Sequence, residues 1–522
     1  MKQKFDKTAL IMVALLIVVL IGAIILNRYH EAKDSSKLLG TISLDNGDEK
    51  IDWGRYPTTD IALSESYTIS RPGAYHFTGK ISDGLISIKV SKDEPVKIIL
   101  DHVSIKNTKG PAIHCAEADD LVIELIGENT LEDAENYDTT YDADTKGVVS
   151  SKSDTTFMGD GSLTIISHKE DGIIAKDDLK FISGTYYISA ADDAIRGKDS
   201  VYIKNGHFNL TAGADTIKST NQYDAGKGFV VIENGEFNLE AGAKGIKAIS
   251  SILIYDGKYQ LQTYDDAIHT DNYIGISGGE FEIHSGDDGI HANKELIIDG
   301  GKISILKAYE GLEAQVVTIN GGDISILALD DGINAGGGAD SSATNRKGAG
   351  AFDADLSCKL TINGGKLYVN SAGDGIDSNG YLYFNGGNVV VDGPTNNGNG
   401  ALDSGSGITM TGGKVVAVGT SSMAVNLGQK STIYNISVYF SDLLAKNTVI
   451  EVKNPAGDNI ISHTSAKTFS HLAAGSDQFI LGETYSIYLN GEKYQAFTIS
   501  GIVTTIGDTG TSPQQGPPPA RP

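Results

Sequence analysis

A short apolar step recurs along the middle of the chain at a nearly constant spacing. The step is a glycine or alanine (a threonine before Ile217) followed by an aliphatic residue, and Ile173, Ile195 and Ile217 are 22 residues apart. The aliphatic positions are Ile173, Ile195, Ile217, Ile246, Ile268, Ile290, Leu312, Ile333, Ile376, Leu402 and Val425. Two wider gaps hold polar, glycine-rich inserts at 221–228 and 336–357, which are typical of loops leaving a repeat.

The residues between the steps alternate between apolar and polar around glycine turns. "LIIDGGKISILKA" (296–308) and "VTINGGDISILAL" (317–329) each predict a strand, a turn and a second strand. Period-two alternation excludes a helical solenoid, and a sandwich would not keep one step at constant spacing. The pattern therefore predicts an all-β, parallel β-helix with coils of about 22 residues, in which equivalent positions stack on one another.

The regularity of the step divides the chain. We expect the regular β-helix over 161–430, preceded by an N-terminal cap and longer early coils over 40–160. Residues 431–507 lose the step and predict a C-terminal β region, with a hairpin around Asn490-Gly491. Residues 508–522 hold five prolines and predict a disordered tail.

The N-terminus carries an uncharged apolar segment, residues 9–26, after Lys2, Lys4 and Lys7. Its length is sufficient to cross a bilayer, and the lysines place the rest of the chain outside. We expect residues 1–30 to be a transmembrane signal anchor that holds the protein at the outer face of the cell membrane. Cleavage of this segment is the alternative.

Charge and cysteine content narrow the functional classes. With 42 basic and 67 acidic residues the formal net charge is −25, which argues against nucleic acid as a partner and suits divalent cations. Cys115 and Cys358 lack the spacing of a zinc site, and both lie in apolar runs. We expect buried thiols rather than a disulfide.

Acidic residues gather beside the recurring step. Alternation points the residue after each core aliphatic outward, and this position changes from basic through histidine to acidic along the chain. The turn just before the aliphatic is rich in aspartate. At a coil spacing of about 4.8 Å, two stacked carboxylates repel by roughly 3.5 kcal/mol at an effective dielectric of 20, so a cation between coils would relieve repulsion.

Calcium suits such oxygen ligands better than magnesium, and zinc would need a further nitrogen or sulfur ligand. The alternative is ordinary turn chemistry, because aspartate binds its own backbone in turns, and this explains isolated pairs such as Asp192-Asp193. The denser cluster favours Ca²⁺. Its predicted ligands are Asp265, Asp266, Asp287, Asp288, Glu310, Glu313, Asp330, Asp331, Asp374 and Asp377.

Basic and aromatic residues at the same edge suggest a ligand surface. Arg196, Lys218 and Lys247 form a basic strip, which is either a solvated face or a binding site for the carboxylates of an acidic sugar. His269 and His291 stack on successive coils, and Tyr264 and Tyr309 precede the acidic turns, where they could stack against sugar rings.

Several phrases resemble a bacterial surface family. They include "GPAIHC" (110–115), "DDAIRGKDSVYIKNG" (192–206), "DTIKSTN" (215–221) and "GETYSIYLNGEKYQAFTISGIVTTIG" (482–507). The chain is similar there to carbohydrate-binding domain-containing proteins, cellulose- or acidic-sugar-binding β-helices related to family-nine polysaccharide lyases. The resemblance spans about residues 40–507, and it implies a right-handed β-helix with calcium along the aspartate-rich edge.

The resemblance also implies a calcium motif, Asp-Asp-Gly-Ile-Asp with a carboxylate one coil earlier. Residues 287–290 match it with Asp265 before them, but His291 replaces the last acid; residues 374–377 keep that acid but have Gly373 at the start. The related lyases need a lysine base. Lys307 is nearest to the cluster in sequence, but no residue clearly fits that role.

The sequence favours a cell-surface, calcium-binding β-helix that binds a polysaccharide, acidic or cellulosic, without cleaving it. A calcium-dependent, pectate-type lyase is the first alternative, and a structural or adhesive stalk is the second. The partners we expect are a polysaccharide and, through the anchor, the membrane; the protein itself is expected to be a monomer.

Overall fold

The computed structural model describes residues 51–137, 146–336 and 354–509. They form a parallel β-solenoid of about 14 turns, which confirms the parallel β-helix predicted from the repeat. The described helical structure is a single 3₁₀ turn, Trp53–Arg55. In these ranges we find no helix with the length and hydrophobicity needed to span a bilayer. The predicted signal anchor at 1–30 lies outside the described residues, as does the predicted tail from residue 510.

Strands make up nearly all of the regular structure. The first are β1 (Thr58–Leu63), β2 (Tyr67–Ile69), β3 (Gly73–Ile81), β4 (Ile86–Lys89), β5 (Val96–Lys106), β6 (Ile113–Glu117), β7 (Asp120–Ile126), β8 (Glu128–Glu132), β9 (Gly147–Ser151), β10 (Asp154–Gly159), β11 (Ser162–Ile166), β12 (Asp171–Ala175), β13 (Asp178–Phe181), β14 (Thr185–Ala190), β15 (Ile195–Gly197), β16 (Ser200–Ile203), β17 (His207–Ala212), β18 (Ile217–Ser219), β19 (Phe229–Ile232), β20 (Glu236–Ala241), β21 (Ile246–Ala248), β22 (Ser251–Ile254), β23 (Lys258–Thr263) and β24 (Ile268–Thr270).

The remaining strands continue the coils and then form the C-terminal region. They are β25 (Tyr273–Ile276), β26 (Glu280–His284), β27 (Ile290–Ile298), β28 (Lys302–Ala308), β29 (Leu312–Ile319), β30 (Asp323–Ala328), β31 (Ile333–Ala335), β32 (Lys359–Ile362), β33 (Lys366–Ser371), β34 (Ile376–Ser378), β35 (Tyr381–Phe384), β36 (Asn388–Asp392), β37 (Gly407–Met410), β38 (Lys414–Gly419), β39 (Asn435–Leu444), β40 (Val449–Lys453), β41 (Asn459–Thr464), β42 (Phe469–Ser476), β43 (Thr484–Leu489), β44 (Glu492–Thr498) and β45 (Val503–Ile506).

Each regular coil contributes one strand to each of three parallel ladders. β15, β16 and β17 belong to one coil and pair with β18, β19 and β20 of the next. We call the three ladders the step sheet, the second sheet and the third sheet, in that chain order. The recurring aliphatic residues lie in the step sheet, where Ile173 pairs with Ile195 and Ile195 with Ile217.

The predicted aliphatic column forms the inner face of the step sheet. From Ile173 to Ile376 its members pair in register, and Leu402 joins Ile376 through an isolated bridge. These side chains are buried, whereas Val425, the last predicted member, is only partly buried against the core. Constant spacing in the sequence therefore translates directly into side chains stacked along the solenoid axis.

An aromatic stack fills the core beneath the third sheet. Neighbouring rings lie nearly parallel, with centroids 4.7 Å apart between Phe237 and Tyr259 and 4.4 Å apart between Tyr259 and Phe281. Phe208 and Tyr186 extend the stack into earlier coils. These distances match the spacing of adjacent strands, so each ring contacts its equivalents on both sides. Cys115 and Cys358 are buried free thiols, as predicted.

The C-terminal region reverses the direction of the chain. β42 pairs antiparallel with β38, the last third-sheet strand, and antiparallel with β39 on its other edge. A separate antiparallel sheet has the order β41, β40, β43, β44. Its hairpin turns at Asn490 and Gly491, which have φ values of 51° and 81°. Both values lie in the left-handed region that an Asn-Gly hairpin turn requires.

Candidate functional site

The turn between the third sheet and the step sheet carries a continuous line of side chains, which we call the acidic column. Its members occupy equivalent positions on successive coils: Asp171, Asp193, Asp215, Lys244, Asp266, Asp288, Glu310, Asp331 and Asp374. Asp171 Oδ1 accepts a hydrogen bond from the backbone N–H of Asp193 (3.2 Å), and Asp193 Oδ1 accepts one from Asp215 (3.0 Å). In each of these carboxylates, one oxygen therefore accepts a backbone hydrogen bond from the next coil. This is the ordinary role of aspartate in turns.

In the N-terminal part of the acidic column, the second carboxylate oxygen meets a cation. Arg196 Nη2 lies 2.5 Å from Asp171 Oδ2, and Lys218 Nζ lies 3.0 Å from Asp193 Oδ2 and 2.8 Å from Asp215 Oδ2. Burial alone would lower the pKa of Lys218, but the two aspartates outweigh burial and raise it. Two members of the predicted basic strip are thus ion-paired within the protein; the third, Lys247, is half-buried.

One coil places a lysine inside the acidic column itself. Lys244 Nζ lies 2.5 Å from Asp266 Oδ2 and 3.1 Å from Asp265 Oδ1 of the following coil. Burial would raise the pKa of Asp266, but the hydrogen bond from His269 and the charge of Lys244 hold it well below its usual range. Asp265 and Asp266, both predicted calcium ligands, therefore have a cation of the chain between them.

The two histidines are buried ion-pair partners, although alternation predicted an outward-facing column. His269 is 3% exposed and His291 is 1% exposed, and both contact carboxylates of the acidic column. His269 Nδ1 lies 2.8 Å from Asp266 Oδ2; His291 Nδ1 lies 3.1 Å from Asp288 Oδ2 and 3.5 Å from Glu313 Oε2.

The charge state of His291 decides whether it acts as an ion-pair partner or as a metal ligand. Burial lowers its pKa, but Asp288, Glu313 and Asp266 outweigh burial and raise it to about 10. His291 and two of these acids hold ligand atoms within 4.8 Å of one another, as a metal site would. A protonated imidazole has no lone pair for a metal, so the raised pKa of His291 favours ion pairing with Asp288 over metal binding at this position.

The C-terminal part of the acidic column has a different charge balance. In the described ranges, no lysine, arginine or histidine forms an ion pair with Glu310, Asp331 or Asp374. Burial, and then the charge of Asp288, raises the pKa of Glu310 well above its usual value. Burial also raises the pKa of Asp374, to about 8, and the pKa of Asp331. These carboxylates are destabilised as anions unless a proton or cation joins them.

A buried amide oxygen completes the donor set in this region. Asn334 is 6% exposed, and its Nδ2 donates to Glu310 Oε2 at 2.9 Å. Its Oδ1 accepts no hydrogen bond from the described part of the chain. Carboxylates with an uncompensated side-chain carbonyl are the oxygen donors that calcium prefers. The chemistry of these donors suits calcium, and Asn334 Oδ1 is the buried oxygen that a cation would satisfy.

The remaining predicted residues lie around the histidine ion pairs and around the carboxylates of Glu310, Asp331 and Asp374. Tyr309 donates from its hydroxyl to Asp330 Oδ2 at 2.7 Å, so it is tied to the acidic turn. Tyr264 is 82% exposed, and a stacking surface is available there. Asp287 is grouped with Asp265 and Asp266, and Asp377 pairs in register with Asn334. Asn334 was not among the predicted ligands. Its position in the same column as Asp377 is the sequence signal that could have identified it.

Comparison with known proteins identifies the family to which the chain belongs. The family model for carbohydrate-binding domain-containing proteins matches residues 64–311 and 250–354, which together cover more than half of the 522 residues. The chain therefore belongs to the carbohydrate-binding domain-containing family. The resemblance seen in its sequence motifs is confirmed.

Two similar proteins illustrate the extent of the match. A carbohydrate-binding domain-containing protein of Acetivibrio thermocellus is 35% identical over 126 residues, which are 23% of this chain and 44% of that relative. The chain thus matches less than half the length of that relative. A solved polysaccharide lyase-like protein from C. thermocellum, a gadolinium derivative, is 28% identical and covers 46% of this chain and 96% of its own, with a TM-score of 0.38.

Proposed function

We propose that the protein is a cell-surface, calcium-stabilised β-solenoid that binds polysaccharide and does not cleave it. Membership of the carbohydrate-binding domain-containing family supports the polysaccharide. The observation that carries the calcium assignment is the change in counter-charge along the acidic column. Its N-terminal acids are neutralised by Arg196, Lys218 and Lys244, whereas Glu310, Asp331 and Asp374 have no such partner among the described residues.

Calcium would take over the role that the basic side chains have in the earlier coils. Glu310, Asp331, Asp374 and the amide oxygen of Asn334 would hold it, with Asp377 of the same column. The ion would neutralise carboxylates that otherwise raise the free energy of the folded state. The coils are proposed to wind right-handed, the hand that parallel crossovers overwhelmingly adopt.

The proposed absence of cleavage is supported by the surroundings of three lysines at or near the acidic column. Removing a proton next to a uronate carboxylate requires a neutral base in contact with substrate. Lys218 is held charged by two aspartates, and Lys244 is buried between Asp265 and Asp266. Lys307, the lysine nearest the cluster in sequence, is exposed on the third sheet. A lysine that stays protonated cannot remove this proton, so Lys218 does not serve as the base.

The cell-surface location rests on the apolar segment 9–26 and the lysines before it. Expression of the full chain with a C-terminal tag, followed by protease treatment of intact cells, tests it. Protection of the tag from protease would contradict the proposed orientation.

Binding and cleavage are tested together. The purified protein is incubated with pectic and cellulosic polysaccharides in the presence of calcium. Binding is measured as retardation in affinity electrophoresis, and cleavage is measured as the ultraviolet absorbance of unsaturated product. We expect retardation without product. Product formation that Lys307→Ala abolishes would replace the binding function with a lyase, and no retardation by any polysaccharide would favour a structural stalk.

A further inference from the structure

A long groove crosses the outer face of the third sheet, away from the acidic column. Its volume is about 570 Å³, and its lining comes from β14, β17, β20, β23, β26 and β28. These strands lie on consecutive coils, so the groove runs along the solenoid axis for about 24 Å at the usual strand spacing. A groove of this length and direction suits an extended polymer better than a compact small molecule.

Part of the floor of the groove is a row of uncharged hydrogen-bonding side chains. Asn209, Asn238 and Gln260 occupy the same register on three successive coils, and Asn238 Nδ2 donates to Asn209 Oδ1 at 3.4 Å. Tyr187 stands at the same register one coil earlier and is 48% exposed. A carboxamide both donates and accepts, as a sugar hydroxyl does, and an exposed tyrosine ring offers a face for a pyranose ring.

A second row, one alternation away, is charged but largely self-neutralised. Lys302 Nζ lies 2.6 Å from Glu280 Oε1; Glu236 pairs with His207 at 3.2 Å and with Lys258 at 3.5 Å. Glu282, on the floor beside Gln260, has no cation partner in the described ranges. The groove therefore has no excess of positive charge to attract a polyanion, and its negative charge disfavours one.

We propose that this groove binds a neutral, extended polysaccharide whose chain runs along the solenoid axis, with the Asn209–Asn238–Gln260 row bonding its hydroxyls. The inference rests on the proposed polysaccharide-binding function and gives it a location distinct from the acidic column. Because amides recur on three successive coils, about 4.8 Å apart, neighbouring sugar units meet similar partners there. Several weak contacts, repeated along a flexible ligand, together increase the affinity.

The test is isothermal titration calorimetry of the intact protein with cellohexaose, mannohexaose and hexagalacturonate. The groove variants are Asn238→Leu with Gln260→Leu, and Tyr187→Ala. The matched controls are Gln495→Leu, on an exposed strand of the C-terminal sheet, and Tyr223→Ala, at a tyrosine that is 83% exposed. Thermal melting of each variant verifies that it is folded.

We expect wild-type protein to bind a neutral hexasaccharide, and the groove variants to bind it about tenfold more weakly or not at all, while both controls keep wild-type affinity. Unchanged affinity in the groove variants, or binding of hexagalacturonate alone, overturns the inference and leaves the polysaccharide-binding function standing. Binding of none of these sugars, nor of any polysaccharide by electrophoresis, overturns the proposed function and the inference with it.

Discussion

Lys244 occupies an aspartate position of the acidic column and places its Nζ 2.5 Å from Asp266 Oδ2 on the next coil. Both side chains are nearly fully buried, with relative exposures of 6% and 0%. The chain thus supplies its own cation at the point where the column of negative charge would otherwise continue. The coils whose acids are paired with basic side chains of the same column end at His291, and the next positions of that column are Glu313, Asn334 and Asp377.

Replacing Lys244 by methionine removes this cation while keeping most of the buried volume. Asp266 then has only the histidines as partners, and we expect a loss of about 3 kcal/mol in the free energy of unfolding. Urea or guanidinium denaturation measures it. Lys366→Met is the control, since Lys366 forms an exposed pair with Asp323 (3.6 Å) that contributes less than about 1 kcal/mol. Equal effects of the two variants would show that the buried pair is not stabilising.

Asp374→Asn removes one uncompensated acid and keeps an oxygen that can accept the hydrogen bond from the N–H of Gly400. Because burial raises the pKa of Asp374 to about 8, its ionisation costs stability in the metal-free protein. We expect the variant to melt a few degrees higher than wild type in chelator at mildly alkaline pH, and to gain less from calcium. Asp323→Asn, at an exposed aspartate, should change neither. A full calcium shift in Asp374→Asn would remove this residue from the ligand set.

Metal-free protein should lose stability as the pH rises. The pKa values of Glu313 and Asp374 are raised to about 8, so the folded state holds protons that the unfolded state releases near pH 4. Their contribution is complete below the unfolded pKa and is lost up to about pH 8. His291, with its pKa raised to about 10, adds a loss in the same direction at higher pH.

Denaturation midpoints in chelator at about pH 5, 7 and 9 measure this slope, and saturating calcium should flatten it between about pH 5 and 8. A metal-free protein that becomes more stable across that range would contradict the assignment of these acids.

Gly286 tests how closely the coils approach at the acidic edge. A Cβ at this position would lie 1.9 Å from the carbonyl oxygen of Tyr264, so Gly286→Ala must separate two coils. We expect a loss of about 1–3 kcal/mol in the free energy of unfolding. Gly501→Ala is the control, because the nearest atom to its added Cβ is 3.9 Å away. If the two variants denature at the same midpoint, the close approach is relaxed in solution.

The sequence determined the fold more completely than the site. Ile173, Ile195 and Ile217 could be placed in one stacked column because their spacing is constant and a solenoid repeats by translation. The direction in which a charged side chain reaches along the axis is not contained in that spacing. Arg196 reaches back to Asp171, whereas Lys244 reaches forward to Asp266. From the sequence, Arg196 and Lys218 were either a solvated face or a ligand-binding strip, and neither alternative included their ion pairs within the protein.

Burial was the second quantity that alternation could not supply. His269 and His291 follow a core residue and so point away from the core, yet both are buried and contact carboxylates of the acidic column. Asn334 and the row Asn209, Asn238 and Gln260 consist of residue types that are common on any sheet surface. Only three-dimensional placement separates a buried, uncompensated amide oxygen, or a groove across six coils, from ordinary polar positions.

The antiparallel pairing of β42 with β38 bears on self-association. A parallel solenoid that ends in a bare strand offers a template on which a second molecule can continue the same ladder, a route to fibres. At this end the ladder meets a strand of opposite direction, whose other edge is already taken by β39. A second molecule therefore cannot continue the parallel ladder of the third sheet at this end.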